Sequence, residues 1–281
     1  MIRLANERGV VEVRPELGAG ITAFRWDGVD ILRPAAADAD DVLQTGNFVL
    51  APFCNRIRQG TFSFEGRQVR LPPNLGDHPH ALHGQAWRQS WRVVAQTEAG
   101  VELAYEHAPD DWPWRYEVLQ TASLTDGGLV QTATLTNLDE HPMPAALGFH
   151  PAFPAPEGTR LQADVRGVWM IDGEVMPTDW RPMDWGPDWR AGALADSGTF
   201  VDNCYTDWGA QAVLSGLAPP PVRLEASSNC QWLHIFAPVG GGFICVEPVS
   251  NRPDPFNGED GGMQVLARGE SMTVSMRLTV G

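Results

Sequence analysis

No lysine occurs anywhere in the 281 residues; all 20 basic side chains are arginine. Schiff-base catalysis, covalent attachment of pyridoxal phosphate and a P-loop lysine are thereby excluded. Positive charge is scarce as well: 35 acidic against 20 basic residues leave a formal net charge of −15 at pH 7. Such a field repels phosphate backbones and anionic headgroups, so nucleic acid and membrane surfaces are poor partners and a small neutral ligand fits better. Cysteine is limited to Cys54, Cys204, Cys230 and Cys245, with no CxxC pair. That spacing argues against a zinc ribbon or a redox motif and predicts buried, reduced thiols. No apolar run reaches the length of a membrane span, and Met1 to Arg8 turns charged before an apolar signal core develops, so a cytoplasmic chain is expected.

What is present is the patterning of strands and turns. Met272, Val274, Met276, Leu278 and Val280 alternate with Thr273, Ser275, Arg277 and Thr279, the period of two that a half-buried strand requires. Tyr116 to Leu124 and Leu129 to Thr136 flank Asp126-Gly127-Gly128, and Trp91 to Gln96 and Val101 to Glu106 flank Glu98-Ala99-Gly100; both pairs read as hairpins. Further short strands are expected at Gly9 to Arg14, Ile21 to Trp26, Thr61 to Phe64, Arg160 to Val165, Val222 to Ala226, Trp232 to Phe236 and Phe243 to Glu247. With 29 glycines and 23 prolines to turn the chain, the expectation is an all-β fold, a large antiparallel β-sandwich formed by residues 1–281 as one domain. Ala35 to Asp41 reads as a solvated acidic loop. Asp172 to Arg190, punctuated by Trp180, Trp185 and Trp189, reads either as a lid offering ring faces to a sugar or as a long loop anchored by its tryptophans.

Two segments carry candidate chemistry. Gly148-Phe149-His150-Pro151 and Val246-Glu247-Pro248-Val249-Ser250 each hold one ionisable side chain in an apolar, proline-fixed stretch. Histidine titrates near neutrality and a glutamate among apolar neighbours is pushed up toward it, which makes the two a candidate acid/base pair. Each also has a plainer reading: His150 as a core histidine bonded to a carbonyl, Glu247 as a buried carboxylate with a structural partner.

Several motifs in sequence order resemble the aldose 1-epimerase (galactose mutarotase) family. They are Asn55-Arg56-Ile57, Leu82-His83-Gly84 followed by Trp87, Gly148-Phe149-His150-Pro151-Ala152-Phe153, Asp202-Asn203-Cys204-Tyr205 and Val246-Glu247-Pro248, with Trp112-Pro113-Trp114 and Leu129 to Asn137 in matching places. The likeness runs from Gly18 to the C-terminus. It implies a galactose mutarotase-like supersandwich with an open sugar cleft, and an isomerase that interconverts the α and β anomers of a free sugar without metal or cofactor. It also implies His150 as general acid, Glu247 as general base, and Asn55, Arg56, His83 and Asp202 as substrate-binding residues. Two positions depart from the family pattern: His234 stands where many members have glutamine, and Ala152 replaces the usual aromatic.

Rival readings stay open at this stage. Arg56 also suits a structural ion pair, and Asp202 a turn cap with Asn203. His78, His80 and His83 have a spacing that permits a metal site, although solvated His78 and His80 with His83 alone turned toward the cleft is simpler. A phosphosugar epimerase would need an arginine cluster, for which Arg56, Arg58, Arg67 and Arg70 offer material. A non-catalytic carbohydrate-binding module would need neither member of the acid/base pair.

Overall fold

The protein is described by a computed structural model, which covers residues 1–216, 221–258 and 261–281. Nearly all of its regular structure is antiparallel strand. The longest strands form a nine-stranded sheet in which Gly100–His107, Tyr116–Thr125, Gly128–Asn137 and Ser271–Val280 are successive neighbours. The two expected hairpins are both present, with Tyr116 opposite Asn137 and Thr125 opposite Gly128 in the second. Along Ser271–Val280, Met272, Val274, Met276, Leu278 and Val280 are buried while Ser271, Thr273 and Arg277 face solvent. A strand with this period has one possible register against a core, because a slip of one residue would expose all five apolar side chains.

A second, eight-stranded sheet holds Val201–Thr206, Trp232–Ala237 and Phe243–Val249 side by side, with the short Gly148–Phe149 and Ala152–Pro154 segments paired to the last of these. These strands are buried on both faces, so their sequences run apolar with isolated polar positions in place of a clean alternation. Ile244 and Val246 point into the main core. Cys245 and Glu247, one residue out of phase, therefore point to the opposite face. An N-terminal four-stranded meander, Ile2–Ala5 through Val29–Leu32, packs its apolar face into the same core.

One rival reading and one expectation for the middle of the chain do not hold. Asp202 does not cap a turn; it lies inside the Val201–Thr206 strand, paired with Phe236. Pro177–Pro182, read as part of an irregular excursion, is a strand paired with Gly167–Ile171. Trp189 is fully buried, and Trp180 donates its indole N–H to Thr206 Oγ1 at 3.1 Å. These tryptophans anchor the segment to the body, as the second of the two readings held. The four cysteines are free and buried, and burial pushes their thiols up, so none is a ready nucleophile.

Candidate active site

The pairing of strands decides which side chains meet. His234 lies directly opposite Glu247, and Cys204 opposite His234. Gly148 pairs with Val249 and Ala152 with Cys245, so His150, midway between them, comes to rest beside Glu247. Its Nε2 is 3.2 Å from Glu247 Oε1. The imidazole is held from two sides: it stacks on Phe48, centroids 4.5 Å apart and planes 16° from parallel, and meets the edge of His83 at 5.4 Å.

Burial acts on the two members of this pair in the same sense, against charge. It lowers the His150 imidazole to about 3 and raises the Glu247 carboxyl well above its ordinary value. Neutral imidazole with carboxylic acid, and imidazolium with carboxylate, contain the same number of protons. Burial thus favours the uncharged arrangement of the two, a neutral imidazole 3.2 Å from a carboxylic acid.

A second histidine and carboxylate sit alongside. His234 Nε2 is 2.7 Å from Asp202 Oδ1, and Arg56 Nη2 is 3.2 Å from Asp202 Oδ2. Burial works against the Asp202 carboxylate most strongly, but the bond with His234 and the charge of Arg56 outweigh it and hold the carboxyl below the usual range. Arg56 is thus an ion-pair donor, and it lines the cavity as well.

Asn55 and His83 are joined in a reciprocal clasp. The Asn55 backbone N–H donates to His83 Nδ1 at 3.0 Å, and the His83 backbone N–H donates to the Asn55 carbonyl at 2.9 Å. Both residues have positive φ, 60° and 59°, a conformation that costs about 1–3 kcal/mol for a non-glycine residue and marks places where surroundings over-determine the backbone. With Nδ1 accepting, the His83 proton belongs on Nε2, the nitrogen free to donate to a ligand. Burial keeps that imidazole neutral. The Asn55 side chain accepts from the Arg56 backbone N–H at 2.8 Å and lies 3.3 Å from the His234 ring nitrogens, so it orients its neighbours while lining the cavity.

All six sequence-predicted residues line one cavity of about 270 Å³, at the small end of small-molecule sites. Arg33, Thr45, His234, Phe236, Phe243 and Cys245 line it too. His234 had been singled out only as a departure from the family, although a histidine inside the apolar run Leu233-His234-Ile235 is the kind of buried polar residue that demands a partner. No sequence signal marked Arg33. No tryptophan lines the cavity, so the lid reading of Trp180, Trp185 and Trp189 has no support there.

His78 and His80 meet edge to face, ring centroids 4.8 Å apart, but of the three histidines only His83 lines the cavity, so they do not form one ligand set. His80 is buried, not solvated, accepting from the Gln59 backbone N–H at 3.0 Å and lying 3.3 Å from Glu174. Among the described residues the group of His, Cys, Asp and Glu ligand atoms gathered within 4.8 Å is His150, Cys245 and Glu247. Nor do the four named arginines cluster: Arg58 is engaged by Asp254 at 3.4 Å and Asp172 at 3.7 Å, Arg67 lies over Trp114, and neither these nor Arg70 lines the cavity.

Comparison with known proteins agrees with this architecture. The uncharacterized protein YphB of Escherichia coli strain K12 is 29% identical over 94% of this chain and 93% of its own length. YihR of the same strain is 23% identical over 86% and 81%. A crystallised Escherichia coli K12 protein superimposes with a TM-score of 0.90 at 28% identity, covering 99% of this chain and 98% of that one. A galactose mutarotase-like protein from Clostridium acetobutylicum superimposes with a TM-score of 0.87 at 22% identity, covering 99% and 94%. The family profile described as aldose 1-epimerase matches residues 1–279, extending the likeness upstream of Gly18. The chain belongs to the aldose 1-epimerase family.

Proposed function

We propose that the protein is an aldose 1-epimerase, working as a single domain over residues 1–281, that interconverts the α and β anomers of a free sugar with His150 and Glu247 as its acid and base. The observation that carries this reading is the 3.2 Å approach of His150 Nε2 to Glu247 Oε1 in the wall of a small cavity. Opening a pyranose requires one proton delivered to the ring oxygen and one removed from the C1 hydroxyl. As the C1 to ring-oxygen bond breaks, the C1 carbonyl forms, giving an open-chain aldehyde. Rotation about C1–C2 and reclosure, with the protons returned, yields the other anomer.

A pair sharing one proton supplies both transfers. Moving that proton across the short contact from Glu247 to His150 gives the imidazolium that serves the ring oxygen and the carboxylate that serves the C1 hydroxyl. The reaction changes no oxidation state and forms no bond to the protein, so its proton balance closes on these two side chains. Positioned acid/base groups supply roughly 10²–10⁴-fold. Arg56, Asp202 and His83 are the sugar-holding groups in this reading: Asp202 offers acceptor lone pairs, His83 Nε2 a neutral donor and Arg56 a fork for adjacent hydroxyls. Asn55 holds Arg56 and His234 in place.

The test is polarimetry on a panel of freshly dissolved single anomers, with background mutarotation subtracted. Catalysed approach to equilibrium for at least one aldose is expected. Rates equal to buffer for every sugar, with binding retained, would leave a carbohydrate-binding module as the better account.

A further inference from the structure

The charges that line the cavity do not cancel. Asp202 answers the charge of Arg56 and also binds His234. His150 and Glu247 sum to zero in either of their one-proton arrangements, and His83 is neutral. Arg33 is left over. It follows the Val29–Leu32 strand, and its backbone N–H donates to the Ala152 carbonyl at 2.8 Å, which brings it next to the segment that carries His150.

The guanidinium is fixed and half-buried. Its carbon lies 4.3 Å from the centroid of the Phe243 ring, and Nη2 donates to the carbonyls of Leu43 and of Thr45, the latter at 3.2 Å. Carbonyls and a ring face satisfy part of its hydrogen-bonding capacity and none of its charge. Among the described residues no carboxylate forms an ion pair with Arg33, and its Nε and Nη1 have no protein acceptor. Burial depresses its pKa, and no carboxylate offsets that loss. A half-buried guanidinium held by two carbonyls and a ring face, with Nε and Nη1 left to donate, is a receptor for an anion.

Its place relative to the acid/base pair says where on the sugar that anion belongs. Arg33 bonds to Ala152 and lies over Phe243, on the edge of the Phe243–Val249 strand where the His150 segment pairs, whereas Asp202, with Arg56 bound to it, lies beyond Trp232–Ala237 on the opposite side of that strand. The two arginines thus flank the pair, Arg33 on the histidine side. In the function proposed above, on which this step rests, His150 faces the ring oxygen and Glu247 the C1 hydroxyl. The ring oxygen has one other neighbour, C5. We propose that Arg33 is an anion-binding residue and that the preferred substrate is an aldose bearing a negatively charged group on the carbon attached to C5.

A carboxylate, a phosphate and a sulfonate at that carbon share the chemistry, and the assay separates them. Anomerisation is followed by polarimetry and NMR for glucose and galactose, their uronic acids, their 6-phosphates and their 6-sulfonates, each against its own uncatalysed rate, in the wild-type protein, Arg33→Gln and Arg33→Lys. For at least one anionic sugar, kcat/KM is expected to exceed that of the neutral parent by about tenfold or more, mostly through KM. Arg33→Gln should bring that ratio close to one, and Arg33→Lys, which keeps the charge but loses the fork, should retain part of it. A wild-type protein that turns over neutral sugars as well as every anionic counterpart overturns the proposal, as does a ratio that Arg33→Gln leaves unchanged. Should Arg33→Gln fail to fold, the wild-type ratio and Arg33→Lys decide. If no sugar is turned over at all, the acid/base reading falls; calorimetric binding of uronate against neutral sugar then judges Arg33 separately, with equal affinities overturning it.

Discussion

The cavity pairs a histidine with a carboxyl group twice, and the two carboxyls behave in opposite ways. In one dyad His234 and Asp202 are 2.7 Å apart and Arg56 adds a positive charge to the second carboxylate oxygen. In the other His150 and Glu247 stand 3.2 Å apart, with no further cation paired to the carboxylate among the described residues. Their carboxyls move apart accordingly, Asp202 held below its ordinary value and Glu247 pushed well above it. A carboxylate locked in its charged form is suited to holding hydroxyls; one whose proton is shared is suited to passing it on. Desolvation opposes charge in both; Asp202 escapes it through the short bond with His234 and the charge of Arg56, whereas Glu247 has no bond of that kind and is pushed up further by the Asp202 charge.

Removing the mobile proton should break the comparison most severely. His150→Ala and Glu247→Gln are each expected to lower kcat/KM by about 10²–10⁴-fold, with circular dichroism unchanged. Turnover within a factor of three of wild type in either variant would take that residue out of the mechanism. Asp202→Asn and Arg56→Ala should cost less, on the order of 10²-fold, with KM raised and kcat lowered together, because they misplace the sugar and leave the proton pair intact. An Arg56→Ala protein altered only in thermal stability would return Arg56 to a purely structural ion pair. His234→Gln, which installs the residue common in the family and keeps a donor for Asp202, should change turnover by less than about tenfold. A loss as large as that of His150→Ala would mean that the second dyad also moves protons.

The pH profile separates the dyads in another way. The one-proton pair gains a second proton on His150 at low pH and loses its only proton from Glu247 at high pH, so kcat/KM should be bell-shaped. Burial sets the acid limb below the ordinary histidine range and the alkaline limb above the ordinary carboxyl range. An NMR exchange profile with its acid midpoint at or above the ordinary histidine value would mean that burial does not hold His150 neutral and would remove this assignment of the acid limb.

What was legible in the sequence follows the same physical line. Ser271–Val280 and the Tyr116–Thr125 hairpin belong to a sheet whose strands carry their own alternation, so period and turn chemistry sufficed. In the sheet that bears the site both faces are buried and the alternation disappears; there Asp202-Asn203 looked like turn chemistry and is mid-strand. His150 and Glu247 were recognisable from their own short motifs. His234 and Arg33 were not, because their roles depend on register: His234 matters through being opposite Glu247, and Arg33 through a backbone bond to Ala152, 119 positions away in sequence.

The smallest expected effect is also the one that compares the dyads most directly, since it is read in stability and needs no substrate. For Glu247 the folded-state pKa lies above the unfolded one; its stabilising contribution is complete below the unfolded value, near 4.5, and declines as pH rises toward the folded value. For Asp202 the folded-state pKa is depressed, so its contribution is present above the unfolded value and is lost as pH falls through the folded one. Glu247→Gln replaces a group that resists ionisation with a neutral isostere, whereas Asp202→Asn leaves Arg56 and His234 without their charged partner. In thermal unfolding from pH 5 to pH 9, Glu247→Gln should therefore gain on wild type as pH rises, and Asp202→Asn should be destabilised at neutral pH, each by about 1–3 kcal/mol. Equal losses in both variants at every pH would mean that the two carboxyls sit in equivalent environments, and the contrast between a fixed and a mobile proton would fail.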